Sequence, residues 1–166
     1  MNIVGFSEGF HDAAICQIKN GNILHASHAE RYSKIKNDKW LHEKQTSTVG
    51  LKGLSNNQKI VYHEKTWLKN TRRLYTLKSW KNDKTSLQYD KSFYHHQSHA
   101  AAGYYTAPFD DCNIIVIDSI GEWDTVSIWD NMKKIKSWKY PYSLGLLYSA
   151  ITQYIGLKPN EDEYIT

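Results

Sequence analysis

Cysteine is almost missing from this sequence: Cys16 and Cys112 are the whole complement of a 166-residue chain. Two thiols cannot build the disulfide framework of a small secreted domain, so a reducing compartment, the cytoplasm, is expected. Proline and glycine are scarce as well, at three and nine residues, which excludes collagen-like and low-complexity material. No apolar run approaches the ~20 residues of a membrane-spanning helix, so no membrane partner is expected. The opening MNIVGFSEGFHD lacks the basic stretch and apolar segment of a secretory signal. What remains is 40% hydrophobic, 13% aromatic and 23% charged, a globular balance in a length that suits one domain.

The net charge of +4 conceals an uneven distribution. Residues 31–84 carry 14 basic and 4 acidic side chains, or +10, and the rest carry 7 and 13, or −6. A basic middle suits nucleic acid, a phosphorylated ligand or an acidic partner, but equally a solvated lysine-rich surface. Eleven of the fourteen are lysines, scattered without a dense run, and no nucleic-acid motif accompanies them, so nucleic acid is not the expected partner.

Periodicity gives an α/β chain with a mixed sheet. Residues 2–6 read as a strand, and residues 13–19 and 22–29 as a hairpin across Asn20-Gly21. A polar loop, ERYSKIKND, follows, and residues 40–57 offer at most a weak helix. Residues 59–63 read as a strand, 66–81 as a helix, 82–91 as polar linker, and 97–105 as a helix ending before Pro108. NIIVID at 113–118 reads as a buried strand, and 124–130 pairs with 133–139 as a hairpin. Ser143 is placed to cap a helix that runs to Ile155. The expectation is that the opening strands and NIIVID share one mixed sheet flanked by the 97–106 and 143–155 helices.

Four groups of residues carry possible chemistry. His11 and Asp12 lie in a loop after the first strand, where α/β folds place ligands, and combine a base with a charge partner; a loop-capping Asp is the simpler reading. His95 and His99 are spaced i, i+4, so a helix would put both imidazoles on one face for a metal, or merely on a solvated helix start. Asp118 ends NIIVID, where a carboxylate can ligate a cation or form a turn; Gly121 and Glu122 follow in a tight turn whose N–H groups can meet an anion. Asn160-Glu161-Asp162-Glu163-Tyr164 reads on composition as an acidic surface segment.

Taken in order, HDAA (11–14), ERYSKIKND (30–38), IVYHEKTWLK (60–69), YHHQSHAAAGYYTAPF (94–109), VIDSIGEWDT (116–125), YSLGLLYSAITQYIG (142–156) and NEDEY (160–164) resemble the NodU-type carbamoyltransferases. The N-terminal domain of that family is similar to the Kae1 tRNA-modification protein. The resemblance implies a mixed-sheet, ribonuclease H-like lobe of the actin/hexokinase-like fold, with residues 1–166 as a single partial domain. It also implies O-carbamoyl transfer from carbamoyl phosphate, through an ATP-derived carbamoyl-adenylate, to a hydroxyl of a small-molecule acceptor in a biosynthetic pathway.

Residue by residue, the resemblance makes His95, His99 and Asp118 metal ligands, with iron favoured and zinc or manganese the alternatives. It puts His11 and Asp12 at the acceptor, and gives Lys34, Lys36, Gly121, Glu122, Asn160 and Glu163 to nucleotide, phosphate or substrate. Ser119 stands where the family usually has glycine, and the KVMGLA-like run that follows NEDEY in the family is not in this sequence. The expectation is therefore a first lobe without its second lobe or YrdC-like domain, incomplete alone, which needs a second chain or self-associates through an apolar face near Tyr148, Tyr154, Ile155 and Leu157. A non-catalytic binding lobe, or a nucleic-acid-associated modifier using residues 31–84, are the alternatives.

Overall fold

The computed structural model describes residues 1–51, 58–81, 84–159 and 162. The chain divides into two compact units, one of residues 1–64 with 81–93 and one of residues 65–80 with 94–166.

The first unit is built on a five-stranded sheet in the order β3-β2-β1-β4-β5. Strands β1 (Asn2–Ser7), β2 (Ala14–Lys19) and β3 (Asn22–His28) form an antiparallel meander. Strands β4 (Gln58–Tyr62) and β5 (Lys91–Ser92) run parallel to β1. This order and these directions are those of a ribonuclease H-like sheet. The Asn20-Gly21 turn has positive φ at both residues, 51° and 84°, as a two-residue hairpin with the right strand twist requires. Val4, Phe6, Ile15, Val49 and Tyr62 make the core, with Leu41, Leu51, Ile60, Leu87 and Tyr89 packed on it. Phe6 and Tyr89 flank the Tyr62 ring at centroid distances of 4.9 and 5.2 Å.

Two short helices complete this unit, one in the segment that read as a polar loop and one where at most a weak helix was expected. Helix α1 (Glu30–Ser33) opens the ERYSKIKND segment and closes at Lys34, which takes a left-handed φ of 61°. Helix α2 (Glu43–Thr48) begins with a reciprocal cap: the His42 ring accepts from the Lys44 N–H, and the Gln45 side chain accepts from the His42 N–H. That pairing replaces the usual serine or threonine of such a start. Residue 91, which read as the end of a linker, opens β5.

The second unit holds α3 (Thr66–Leu77), α4 (His95–Thr106), α5 (Leu144–Tyr154) and a separate three-stranded antiparallel sheet in the order β6-β7-β8. Its strands are β6 (Asn113–Ile117), β7 (Asp124–Asp130) and β8 (Lys133–Lys139). The α/β architecture with a mixed sheet is as expected, but one shared sheet is not: NIIVID pairs with β7 alone, not with the opening strands. Nor is it buried on both faces. Val116 is buried against α4, whereas Ile115 and Ile117 are 63% and 59% exposed. An apolar run reports what a strand can bury, not what covers it.

Helix α5 follows its cap as read from sequence, the Ser143 hydroxyl accepting from the Leu146 N–H. On it and just after it, Tyr148, Tyr154 and Ile155 are exposed, and Leu157 is half-buried. No helix among the described residues is long and apolar enough to cross a membrane. Cys16 and Cys112 are free thiols.

Candidate metal centre

In the second unit, α4 and the end of β6 bring three of the singled-out side chains together. His95 and His99 sit one turn apart on the same face of α4, with their Nε2 atoms 3.0 Å apart. Asp118 follows β6 directly and sets Oδ2 2.9 Å from His95 Nε2. One donor atom from each residue lies within 4.8 Å of the others.

Asp118 is oriented from its own turn, accepting the Ser119 N–H on Oδ1 at 2.6 Å. Burial works to raise its carboxyl. The hydrogen bond from His95, the His95 charge, the Ser119 N–H and the His99 charge outweigh that and hold it down at about 2. The His99 ring moves the other way: burial and the neighbouring His95 lower it, against the pull of Asp118. The centre therefore offers an ionised carboxylate beside an imidazole biased toward its neutral, ligating form.

A protonation argument tests the fit to a cation. His95 Nε2 has one in-plane position, holding either a proton or a lone pair. It faces the carboxylate on one side and a second imidazole nitrogen on the other. One proton cannot serve both neighbours, whereas one cation satisfies all three donors. The spacing also bears on geometry. Donors about 2.1 Å from an ion lie about 3.0 Å apart at a right angle and about 3.4 Å apart at a tetrahedral angle. The observed 3.0 and 2.9 Å are short enough for one ion to reach all three donors, and a two-histidine, one-carboxylate set suits iron, manganese or zinc.

The turn after Asp118 fixes this arrangement. The buried Glu122 carboxylate accepts the backbone N–H of His95, the first residue of α4, at 3.0 Å, and that of Lys65, which precedes α3, at 2.7 Å. One anion thus satisfies orphan donors at two helix starts, where the helix dipole favours it. Gly121 is needed for close approach, since a Cβ there would stand 3.1 Å from Cδ2 of both His95 and His96. Gly145 is stricter: its Cβ would meet the Ser119 backbone at 2.6 Å. That contact lets the start of α5 lie against the turn, where the Ser143 hydroxyl donates to the Ser119 carbonyl at 2.5 Å.

Sequence reasoning passed over Gly145 and the polar inner face of β7. Thr125, Ser127 and Trp129 are buried, while Val126 and Ile128, the residues apolar alternation favours, are only half-buried. The available signal was a serine and a threonine at period two in a strand beneath a histidine-rich helix.

The remaining candidates among the described residues lie in the first unit. His11 Nδ1 is 2.8 Å from Asp12 Oδ2, at the surface, with Asp12 at a φ of 48°. Their loop is tied to the end of the ERYSKIKND segment and the residue after it, Ala13 N–H donating to Asp38 O and Gly9 N–H to Lys39 O, each at 2.7 Å. It is tied also to residues 84–87, because the Ser86 hydroxyl donates to the buried Glu8 carboxylate at 2.6 Å. Lys34 and Lys36 are exposed in the tied segment. Asn160 and Glu163, with most of NEDEY, lie outside the described residues.

Residues 44–166, well over half of the chain, match the family described as carbamoyltransferase N-terminus, and the chain belongs to that family. It is 30% identical to the uncharacterized protein sll1178 of Synechocystis sp., aligning 98% of this chain with 33% of that protein. It is 28% identical to the uncharacterized protein MJ1051 of Methanocaldococcus jannaschii, aligning 97% of this chain with 31% of that one. The chain thus spans about a third of the length of these relatives. Among solved structures it is similar to the PPX-GPPA enzyme of Aquifex aeolicus at a TM-score of 0.44 and 14% identity, over 99% of this chain and 60% of that one.

Proposed function

We propose that this chain is the metal-binding N-terminal portion of a NodU-type O-carbamoyltransferase, acting in the cytoplasm on carbamoyl phosphate, ATP and a small-molecule hydroxyl acceptor. The observation that carries the reading is the convergence of His95 Nε2, His99 Nε2 and Asp118 Oδ2 in a chain of the carbamoyltransferase N-terminus family. A divalent ion there, iron before manganese or zinc, supplies Lewis acidity toward a phosphate oxygen and stabilises charge that develops during acyl transfer.

The protein's own groups do the rest. His95, His99 and Asp118 hold the ion, and Glu122 keeps the first turn of α4 in register with Asp118. His11, its Nδ1 already engaged by Asp12, keeps Nε2 to take the proton of the acceptor hydroxyl. Lys34 and Lys36 serve as point charges for phosphate, and the Gly121 turn, Asn160 and Glu163 complete substrate binding. The exposed apolar residues of α5 suit a cover by further polypeptide, either a second chain or a second copy. Turnover accordingly requires that partner.

The test is a titration with Fe(II) and Mn(II) of wild type against His99→Ala. Wild type should bind one ion and the variant at least ~100-fold more weakly, beyond the loss typical of outer-shell changes. Equal affinities overturn the centre. With carbamoyl phosphate and ATP, the chain alone should give neither adenylate nor carbamoylated acceptor; robust turnover by the monomer refutes the need for a partner.

A further inference from the structure

The basic middle of the chain has no part in the metal centre, and its helix is α3. Residues 65–80 carry five basic side chains and no acidic one. A surface helix of a soluble protein turns its apolar stripe to the core and its polar face to water. Helix α3 does the reverse. Lys69 and Asn70 are buried, whereas Trp67, Leu74, Tyr75, Leu77 and, just past the helix, Trp80 are all 49–71% exposed. The one other exposed residue of this stretch is Lys78, where the helix closes with a left-handed φ of 51°.

The exposed apolar residues share a side. Leu74 comes two turns after Trp67, about 20° around the helix from it, and Leu77 lies about 60° further on. The helix is held in this orientation from within its own unit. Before the first turn Glu122 accepts the Lys65 N–H at 2.7 Å, and near the last the Tyr75 ring lies 5.8 Å from that of Trp123. On the buried side Asn70 Oδ1 accepts from Arg73 at 3.3 Å.

The chemistry of this face names what covers it. Tryptophan and tyrosine join an apolar body to a polar edge, and they concentrate where hydrocarbon meets water. Leu74 and Leu77 add aliphatic surface, on which a nucleic-acid base has nothing to stack. A run of cations without one acid complements a negatively charged surface. Tryptophan and leucine on one side of a basic helix are the pattern of a segment that lies in the plane of a membrane interface. No described helix is long and apolar enough to cross a bilayer, but lying on one needs only an exposed face.

We propose that α3 docks on the surface of an anionic lipid bilayer, with Trp67, Leu74, Leu77 and Trp80 entering the headgroup layer and Lys78 meeting the lipid phosphates and carboxylates. This inference stands apart from the carbamoyl-transfer reading, and either can fail without the other.

The experiment sediments the full chain with vesicles of phosphatidylcholine, pure or with about one-third phosphatidylserine. Wild type should pellet with the anionic vesicles only, and less in ~1 M salt, where screening is strong. Leu74→Ser with Leu77→Ser should bind at least ~10-fold more weakly, and Lys78→Glu about tenfold more weakly. Tyr154→Ser, at an exposed position of α5, should bind as wild type does. Wild-type binding by the double leucine variant, or an equal loss in Tyr154→Ser, overturns the proposal. So does a wild type that ignores anionic vesicles, whether it binds single-stranded RNA instead or forms a dimer that the leucine variant separates. If circular dichroism shows that the leucine variant does not fold, lipids brominated on their acyl chains decide the case. They should quench the tryptophan fluorescence of wild type, and Trp67→Phe with Trp80→Phe should lose most of that quenching; undiminished quenching in that variant sinks the idea.

Discussion

The two units bury different chemistry. Among the described residues, the first buries seven apolar side chains, Val4, Phe6, Ala13, Ile15, Ala29, Val49 and Tyr62, and three polar ones, Glu8, Gln45 and Glu64; the second reverses the balance, with Ala100, Val116 and Trp129 against Lys69, Asn70, His96, Glu122, Thr125, Ser127 and Thr152. Apolar interiors gain from removal of surface from water, at about 25 cal/mol per Å². Buried polar groups gain little net and must be fully paired. In the second unit these groups are paired with each other and with backbone: Glu122 accepts the His95 N–H, Ser127 pairs with His96, and Thr125 donates to the Trp138 carbonyl. The first unit has the more apolar interior and carries its His11–Asp12 pair at the surface; the second has the more polar interior and carries the proposed His95–His99–Asp118 centre.

If that contrast is right, the largest loss of stability comes from the apolar interior of the first unit. Phe6→Ala empties the ring position against Tyr62 and should cost about 3–5 kcal/mol, read from urea unfolding. The folded fraction should still bind Mn(II) as wild type does. A loss below about 1 kcal/mol would mean the apolar core of the first unit is not what holds it.

Next comes Glu122→Ala. It leaves the His95 and Lys65 amides without their acceptor, so about 3 kcal/mol should go, and metal affinity should fall with it because His95 begins α4. Glu122→Gln keeps an acceptor oxygen and should lose roughly half as much. A variant that loses stability but keeps full metal affinity separates the cap from the centre and breaks the contrast.

A smaller effect is pH-dependent and belongs to chelator-treated protein. Asp118 has a folded value of about 2 against an ordinary 3.8. A depressed carboxyl binds fewer protons folded than unfolded, so its stabilisation is complete above pH 3.8 and is lost as pH falls toward 2. The difference amounts to about 2 kcal/mol. Asp118→Asn should therefore be less stable than wild type near neutrality and should converge with it near pH 2. A constant gap across that window would show that His95 does not pair with Asp118 in the metal-free chain.

What the sequence made legible follows the same division. Asn20-Gly21, the i, i+4 histidines, the Ser143 cap and the alternating hairpin after Asp118 are local signals, and each sits where local physics puts it. Non-local facts were not legible. NIIVID has the composition of a strand covered on both faces, but which sheet it joins depends on partners distant in sequence. The buried Glu122 cap depends on two helix starts meeting one turn, and no spacing encodes that. His96 was visible as one letter of a motif, yet its inward direction comes only from the helix phase, and the reason for Ser127 only from the strand beneath it. Gly145 looked like an ordinary glycine in a helix until the Ser119 backbone was found against it.

The smallest expected effect separates two strands that look alike. NIVGFS opens β1 and NIIVI makes β6, and composition alone would give their apolar residues equal weight. Val4 is fully buried between β2 and β4, whereas Ile117 stands on an open face of a strand paired on one side only. Val4→Ala removes two buried methyl groups and should cost about 2 kcal/mol, near the lower range of core truncations. Ile117→Ala removes more carbon but from solvent, so stability should change by less than ~0.5 kcal/mol. The exposed isoleucine should instead register in association: sedimentation of wild type should show more self-association than Ile117→Ala, as expected of an uncovered apolar face. A stability loss at Ile117 as large as that at Val4 would mean that this face of β6 is covered in solution, and that the second unit has an apolar interior of its own after all.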